Sequence, residues 1–506
     1  MDRENIIVET NSGKLQGIHE DNLYVFKGIP YATPPVGSLR WLPPQPVKPW
    51  SGIRSADKFG PIAPQPPSEF SAPREPLPVE PQSEDCLFLN VWTPGFDNKK
   101  RAVMVWIHGG AFSLGSGSEP AQSGRKVLAL RGGVVLVTIN YRLGPLGFLN
   151  LDRVTGGKIP STGNEGLLDQ VAALCWVHDN IAVFGGDSAN VTIFGESAGA
   201  MSVGALLAMP SAKGLFSKAI LQSGACTCHS LDDAVKVADK YIKALGLTGK
   251  DVDSLRQIPD RVLIDTQMQS WAWGVRGAPT EPVIDGKVLP ALPLDAVKAG
   301  SASGITILAG SNLDEGTLFA GMEPRLVNQN ENGLARRIGR IVPAEQVSNL
   351  IETYRKALAV RWGRSPTPGE IYVAVSGDGQ FRMPGLRMVE SQYTLGYAGY
   401  SYLFDWKCAV PELGACHSLD VGFIFDSTTK EFHGSGPAVE RLSLQMQESW
   451  IAFARTGNPS CPTLGEWSAY GKNRQTMILG ENSHLANAPY ESERSAWDGI
   501  ENKWLG

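Results

Sequence analysis

The segment of this sequence best suited to covalent chemistry is Gly195-Glu196-Ser197-Ala198-Gly199, a serine flanked by glycines. It follows a short β-rich apolar run, 191–194, and precedes an alanine-rich stretch typical of a helix. A G-x-S-x-G turn between strand and helix holds the serine in a strained conformation, and the helix N-terminus favours developing negative charge. An isolated pentapeptide of this type is as often an ordinary tight turn. In this context the pattern predicts a nucleophile, Ser197.

A nucleophilic serine needs a base, and that base needs an acid to orient it. The sequence holds seven histidines. Two of them, His19 and His178, are expected to be structural. Three lie in polar segments and are expected at the surface: His229, His433 and His484. His108 precedes two glycines after the apolar run 102–107, a pattern that resembles an HGGG-type oxyanion loop, which supplies backbone N–H groups. The base predicted by elimination is His417, beyond the strand expected at 400–404.

The acid should lie between the serine and the histidine in chain order. The apolar run 305–308 is followed by a polar turn that contains Asp314 and Glu315. Both are candidates, and the residues alone do not choose between them. The alternative to a catalytic role, for either residue, is that it is an ordinary acidic side chain in a turn exposed to water.

The elements that would position these residues alternate along the chain. Short β-rich apolar runs are predicted to be strands, and those buried on both faces need not alternate in polarity. The predicted strands are 6–9, 14–18, 102–107, 134–139, 191–194, 219–221, 305–308 and 400–404, and the predicted helices include 166–178, 198–209, 232–245 and 439–456. This order predicts an α/β fold with a large, mostly parallel sheet covered by helices on both faces, preceded by antiparallel strands. We expect one catalytic domain over 1–506, with a helix-rich insertion at 318–395 that forms a lobe over the site.

Composition narrows the function classes. The 506 residues carry 46 basic and 51 acidic side chains, and this net charge of −5 disfavours a partner with a phosphate backbone. The longest uncharged apolar-leaning run, 198–210, is shorter than the ~20 residues that a membrane span needs. The first residues show no secretory signal pattern, and seven scattered cysteines show no C-x2-C pair for zinc. Neither H-E-x-x-H nor a phosphate-binding glycine loop occurs. We therefore expect a cytoplasmic protein without a metal or cofactor.

Matches to one family run almost from end to end. They occur at Phe26–Ala32, Ser83–Trp92, Val103–Phe112, Asn140–Phe148, Gly163–Gln170, Phe184–Asp187, Gly195–Gly199, Gly310–Gly316 and Trp450–Pro459. With these motifs in this order, the chain resembles the type-B carboxylesterases of the α/β-hydrolase fold, and is closest in character to the bacterial para-nitrobenzyl esterases.

The resemblance implies a serine hydrolase of small to medium carboxylic esters, acting through an acyl-enzyme. It implies the triad Ser197, Glu315 and His417, with oxyanion donors from the main chain of Gly110, Ala111 and Ala198. An amidase, a carbamate hydrolase or a lipase would use the same triad. A non-catalytic adhesion-type relative is a further alternative, although such proteins typically lose the serine or the histidine.

The resemblance also implies supporting residues. Ion pairs are expected for Arg142–Asp169 and for Arg40–Glu84. A hydrogen bond between Glu196 and Ser202 is also expected, either in support of the site or as a buried structural pair. Candidate pocket residues near the catalytic loops are Phe112, Phe319, Phe423, Trp271 and Trp273. The proline-rich belt 62–81 and the two tryptophans are either gate elements or packing anchors. No cysteine precedes Cys86, so the disulfide that animal relatives form there cannot form, which favours a bacterial type of enzyme in the cytoplasm.

Overall fold

The computed structural model describes residues 6–67, 81–119, 125–270 and 280–501. The chain divides into two compact units. Unit 1 comprises Met1–Ala219 and Thr227–Pro293, and unit 2 comprises Ile220–Cys226 and Leu294–Gly506. A single catalytic domain over 1–506 stays a prediction.

Fifteen strands are present in the described residues. They are β1 (Ile6–Thr10), β2 (Gly13–Glu20), β3 (Leu23–Pro30), β4 (Ile53–Ser55), β5 (Phe88–Thr93), β6 (Arg101–Ile107), β7 (Val135–Ile139), β8 (Gly186–Glu196), β9 (Lys218–Gln222), β10 (His229–Ser230), β11 (Val283–Ile284), β12 (Thr306–Asn312), β13 (Gly399–Phe404), β14 (Gln475–Leu479) and β15 (His484–Asn487).

Seventeen α-helices are present in the same part of the chain. They are α1 (Arg125–Gly132), α2 (Gly144–Phe148), α3 (Glu165–Asn180), α4 (Ala198–Ala208), α5 (Leu231–Ala244), α6 (Val252–Gln257), α7 (Asp260–Ser270), α8 (Pro293–Lys298), α9 (Gly316–Met322), α10 (Glu331–Ile338), α11 (Val347–Trp362), α12 (Pro368–Gly377), α13 (Met383–Thr394), α14 (Leu419–Ile424), α15 (Lys430–His433), α16 (Pro437–Thr456) and α17 (Glu491–Ser495).

The sheet of unit 1 is parallel where it carries the serine motif. Strand β6 pairs in parallel with both β7 and β8. On the other side of β7 the strands are antiparallel, each to the next, in the order β7, β5, β3, β2, β1. The residues of β5 and β7 are all buried, and most of them are apolar, as is typical of strands covered on both faces. The buried polar residues include Asn90 and Thr138, which hydrogen-bond each other at 3.1 Å. Strand β1, by contrast, alternates between buried and more exposed residues. Every predicted strand and helix is confirmed, and the largest shift is at β8, which begins five residues before the predicted strand 191–194.

The sheet of unit 2 carries the candidate acid and base. Strands β12, β13 and β14 pair in parallel, and β15 is antiparallel to β14. Between β12 and β13 the chain forms helices α9 to α13, which occupy most of the stretch 318–395. Its placement as a lobe over the site stays a prediction.

Both expected ion pairs are present in unit 1. Asp169 accepts hydrogen bonds from Arg142 Nε at 2.8 Å and from Arg142 Nη2 at 2.7 Å, and both side chains are buried. Arg40 pairs with Glu84 in the same two-pronged way. Burying a charge is costly unless it is paired and hydrogen-bonded, so these bidentate pairs permit the charged groups to lie inside the fold.

The expectation that His229 and His433 lie at the surface is wrong, because both are buried. His433 accepts a hydrogen bond from the Thr429 amide at its Nδ1, over 2.9 Å, and packs edge-on against Phe423. A histidine within a polar segment can thus be buried as a neutral ring once its nitrogen finds a partner. In the described part of the chain, no helix has the length and apolar character needed to cross a membrane.

Candidate active site

The serine motif forms the sharp strand-to-helix turn that its sequence predicts. Strand β8 ends at Glu196, helix α4 begins at Ala198, and Ser197 between them has φ 57° and ψ −126°. Positive φ is strained for a residue with a side chain and is typical of functional turns. A Cβ atom on Gly195 would lie 2.6 Å from the Ile107 carbonyl oxygen, and one on Gly199 would collide with the same oxygen. The glycines are therefore needed for the turn to approach β6.

The predicted oxyanion loop lies against this turn within unit 1. Gly110, Ala111 and Phe112 all have positive φ, of 100°, 52° and 55°. A Cβ atom on Gly109 would lie 3.1 Å from the Ser197 Cβ atom, so the loop passes directly beside the serine. The three predicted donors, Gly110, Ala111 and Ala198, thus belong to two segments that meet at Ser197.

His108 packs beside the predicted oxyanion loop inside the fold. Its ring is 1% exposed and stacks on Tyr141 with centroids 4.4 Å apart. The Tyr141 hydroxyl donates to the His108 carbonyl oxygen at 2.7 Å. Burial lowers the pKa of His108 to about 4, so the ring is neutral at physiological pH.

Glu315 and His417 form a buried pair in unit 2. His417 Nδ1 lies 2.6 Å from Glu315 Oε2, and the two residues are 4% and 3% exposed. An ionised carboxylate only accepts hydrogen bonds, so Nδ1 carries the proton and the basic lone pair of the neutral ring is on Nε2. The other carboxylate oxygen, Oε1, accepts from the Asn312 amide at 2.7 Å.

Asp314, the alternative acid, has different partners. Its Oδ2 accepts from Lys407 Nζ at 2.8 Å and from the Ala415 amide at 2.9 Å. Of the two acids left open by the residues, Glu315 is thus the one hydrogen-bonded to His417, whereas Asp314 holds the segment that leads to His417.

Two aromatic rings pack on His417. Phe381 lies 4.5 Å and Phe319 5.1 Å from its ring centroid, and the two phenyl rings stack on each other at 5.8 Å. Phe381 lies in a five-residue π-helical segment, Asp378–Arg382, between α12 and α13. Phe381 was not among the residues predicted from the sequence, because one extra residue in a helical turn leaves no mark in the hydrophobic pattern.

The remaining predicted residues have varied surroundings. Phe112 is buried against Phe148, and Phe319 is 36% exposed. Phe423 is fully buried among aromatic rings, and Ser202 accepts a hydrogen bond from Gln170 at 3.0 Å. Glu196 is buried.

Trp271 and Trp273 lie outside the described residues, as do 68–80 of the proline-rich belt. Their predicted roles stay predictions. Within the described ranges, no group of three or more His, Cys, Asp or Glu side chains has an arrangement that could hold a metal ion. The expectation of no cofactor likewise stays a prediction.

A model of the Carboxylesterase family matches residues 4–497. The chain belongs to this family. It is 39% identical to the para-nitrobenzyl esterase of Bacillus subtilis (strain 168), over 96% of this chain and 97% of the relative. It is 35% identical to a phenmedipham hydrolase of Pseudarthrobacter oxydans, over 94% of each protein.

Solved structures agree with this membership. A carboxylesterase of Geobacillus stearothermophilus matches this esterase with a TM-score of 0.87 at 39% identity, covering 97% of this chain and all of the other. A structure described as a thermophilic para-nitrobenzyl esterase also gives 0.87, at 36% identity, covering 97% of this chain and 99% of the other. The predicted α/β-hydrolase fold is confirmed, and the protein is a serine hydrolase of carboxylic esters.

Proposed function

We propose that this esterase cleaves small to medium carboxylic esters with Ser197 as nucleophile, His417 as general base and Glu315 as the acid that orients the base. The observation that carries the proposal is the buried hydrogen bond of 2.6 Å between His417 Nδ1 and Glu315 Oε2. The strained turn at Ser197 supports it independently, from unit 1.

In the proposed reaction, Ser197 Oγ attacks the ester carbonyl carbon while His417 Nε2 takes the hydroxyl proton. The amides of Gly110, Ala111 and Ala198 donate to the resulting oxyanion, each contributing about 3 kcal/mol. The imidazolium, stabilised by Glu315, returns its proton to the departing alcohol, which leaves an acyl-enzyme. Water then attacks the acyl carbon while the same histidine takes its proton. The bond between the acyl carbon and Ser197 Oγ breaks, the histidine returns the proton to Oγ, and the free acid leaves.

The test is hydrolysis of para-nitrophenyl esters from acetate to palmitate by the purified enzyme, beside Ser197→Ala. A rate that peaks at short or medium chains and vanishes in the variant is the expected result. A peak at long chains that rises at an oil–water interface would indicate a lipase instead. Activity that survives in Ser197→Ala would overturn the assignment of the nucleophile.

The two relatives supply further probes. The names of these relatives indicate two compounds to test as substrates, para-nitrobenzyl esters and phenmedipham. The alternative is an amidase or a carbamate hydrolase. It would be favoured if phenmedipham, a carbamate or an anilide were hydrolysed faster than any ester. We expect esters to be the better substrates, because an alkoxide leaves more readily than an amide nitrogen.

We also propose a cytoplasmic location and a small-molecule ester, rather than nucleic acid, as the partner. The cysteines in the described part of the chain form no disulfide bond, which supports a reducing compartment. Cell fractionation tests the location, and recovery in an oxidising compartment would contradict it.

A further inference from the structure

The turn that carries Glu315 and the segment that carries His417 are joined by several hydrogen bonds besides the one between their side chains. The Asp314 amide donates to the Ala415 carbonyl oxygen at 2.9 Å. The Ala415 amide donates back to Asp314 Oδ2, also at 2.9 Å. The Asn312 side chain donates from Nδ2 to the Cys416 carbonyl oxygen at 2.6 Å. The last of these bonds ends on the residue directly before His417.

Asn312 also contacts the acid. Its main-chain amide donates to Glu315 Oε1 at 2.7 Å, so a single residue is hydrogen-bonded to Glu315 and to the neighbour of His417. Asn312 is the last residue of β12, where it pairs with Phe404 of β13, and it is 1% exposed. The sheet therefore fixes the position from which both bonds are made.

The chemistry around the Asn312 amide fixes which way it faces. Besides the Cys416 carbonyl oxygen, Nδ2 lies 3.5 Å from Asp420 Oδ1. Asp420 is fully buried and also accepts from Gln222 and Tyr402, at 3.0 Å each. With the amide reversed, an oxygen would face two acceptors, so the NH2 group must point toward them.

We propose that Asn312 is a positioning residue for the general base: its side chain fixes the segment of Cys416 and thereby holds the His417 ring against Glu315. This inference rests on the proposed role of His417. Removal of the side chain leaves the buried Cys416 carbonyl without this donor but keeps the main-chain bond to Glu315. The substitution therefore removes a hydrogen bond that positions His417, whereas the main-chain hydrogen bond to Glu315 remains.

The direct test is Asn312→Leu, which keeps a similar volume, with Asn312→Ala as a second variant. We expect kcat to fall about 10- to 100-fold with KM changed by less than about threefold, because a misplacement of 1 Å is enough for such a loss. Titration of the serine with an organophosphonate should still count a full complement of sites. The number of titrated sites distinguishes a folded enzyme that turns over slowly from a preparation in which part of the enzyme is unfolded.

The pH profile supplies a readout that a merely structural role would not move. Two carboxylates that interact with His417 in the described part of unit 2 are Glu315, through its hydrogen bond, and Asp420, through its charge. A ring held less closely to Glu315 gains less stabilisation of its charged form, so the acidic limb of kcat/KM should move to lower pH in both variants.

The matched control is Asn164→Ala in unit 1, since the Asn164 side chain likewise binds main-chain groups, the amide and carbonyl of Val283, at 2.8 Å each. We expect this variant to lose stability and to keep both kcat per titrated site and the acidic limb. A folded Asn312→Leu with unchanged kcat and acidic limb would overturn the proposal. So would failure of both Asn312 variants to fold when Asn164→Ala folds, because the role would then be structural.

His417→Ala separates this inference from the proposed function. If that variant keeps its activity, His417 is not the base and the proposed function itself fails. If it is inactive while the Asn312 variants match the wild type, only the positioning role fails.

Discussion

His417 and Glu315 are joined by a hydrogen bond of 2.6 Å although 102 positions separate them in the chain. Both side chains are almost completely shielded from water. A charge-assisted bond of this length in a water-excluded place orients the ring and favours its protonated form. The immediate neighbour of Glu315, Asp314, contacts Lys407 and Ala415 instead.

Glu315→Gln should lower kcat by about a thousandfold or more, because an amide in place of the carboxylate favours the wrong tautomer of the histidine. The matched variant Asp314→Asn loses the charge pairing with exposed Lys407 but keeps an oxygen that can accept from the Ala415 amide. It should keep kcat within about tenfold, since exposed ion pairs contribute little. Steady-state kinetics on para-nitrophenyl butyrate checks both. The reverse order of the two losses would assign the acid to Asp314.

Phe381→Ala should lower kcat about tenfold beyond any effect on folding, because the ring that packs on His417 is removed. It should also cost about 3 kcal/mol or more of unfolding free energy, as for other buried phenylalanines. Phe423→Ala is the control: it too is fully buried and should lose similar stability while keeping kcat per titrated site. Equal kcat losses in the two variants would indicate a general packing effect.

His108 should make the esterase less stable in mild acid. Its pKa is lowered to about 4 by burial, against about 6.5 when unfolded. Stability is therefore complete above pH 6.5 and falls as pH decreases toward 4, because only the unfolded chain binds the proton, with a loss of about 3 kcal/mol. Urea unfolding between pH 7.5 and 4.5 should show this slope reduced in His108→Gln. His484→Gln, at an exposed position, should keep it.

Arg142→Met should destabilise the protein by about 3 to 5 kcal/mol, because it leaves Asp169 charged and buried without its partner. Adding Asp169→Leu should recover part of that loss, since an apolar pair of similar volume carries no desolvation cost. A double-mutant cycle by urea denaturation measures the difference. Strictly additive losses would show that the two side chains do not interact energetically.

The parts of the fold that the sequence predicts well are those fixed by local preference. Strands buried on both faces appear as apolar runs because no residue in them meets water, and β7 is an example. The serine turn is predictable for a different reason: Gly195 and Gly199 mark in the sequence the places where the backbone must come close to another strand, here β6. The family resemblance then selected Glu315 over Asp314, which the residues by themselves did not.

The parts that the sequence does not predict depend on contacts between distant segments. Phe381 reaches His417 through a π-helical turn, and Asn312 reaches Cys416 from the end of a strand about a hundred residues away. His433 lies in a polar stretch, yet its ring is buried because one backbone amide satisfies its nitrogen.

The sequence by itself therefore determined the class of this protein: a strained serine turn, a glycine-rich loop after β6 and the order of strands and helices. Only the tertiary structure decided which groups surround His417. Local preferences act over a few residues, whereas the direction of a side chain such as Glu315 is set by the hydrogen-bond partners that the sheet brings to it.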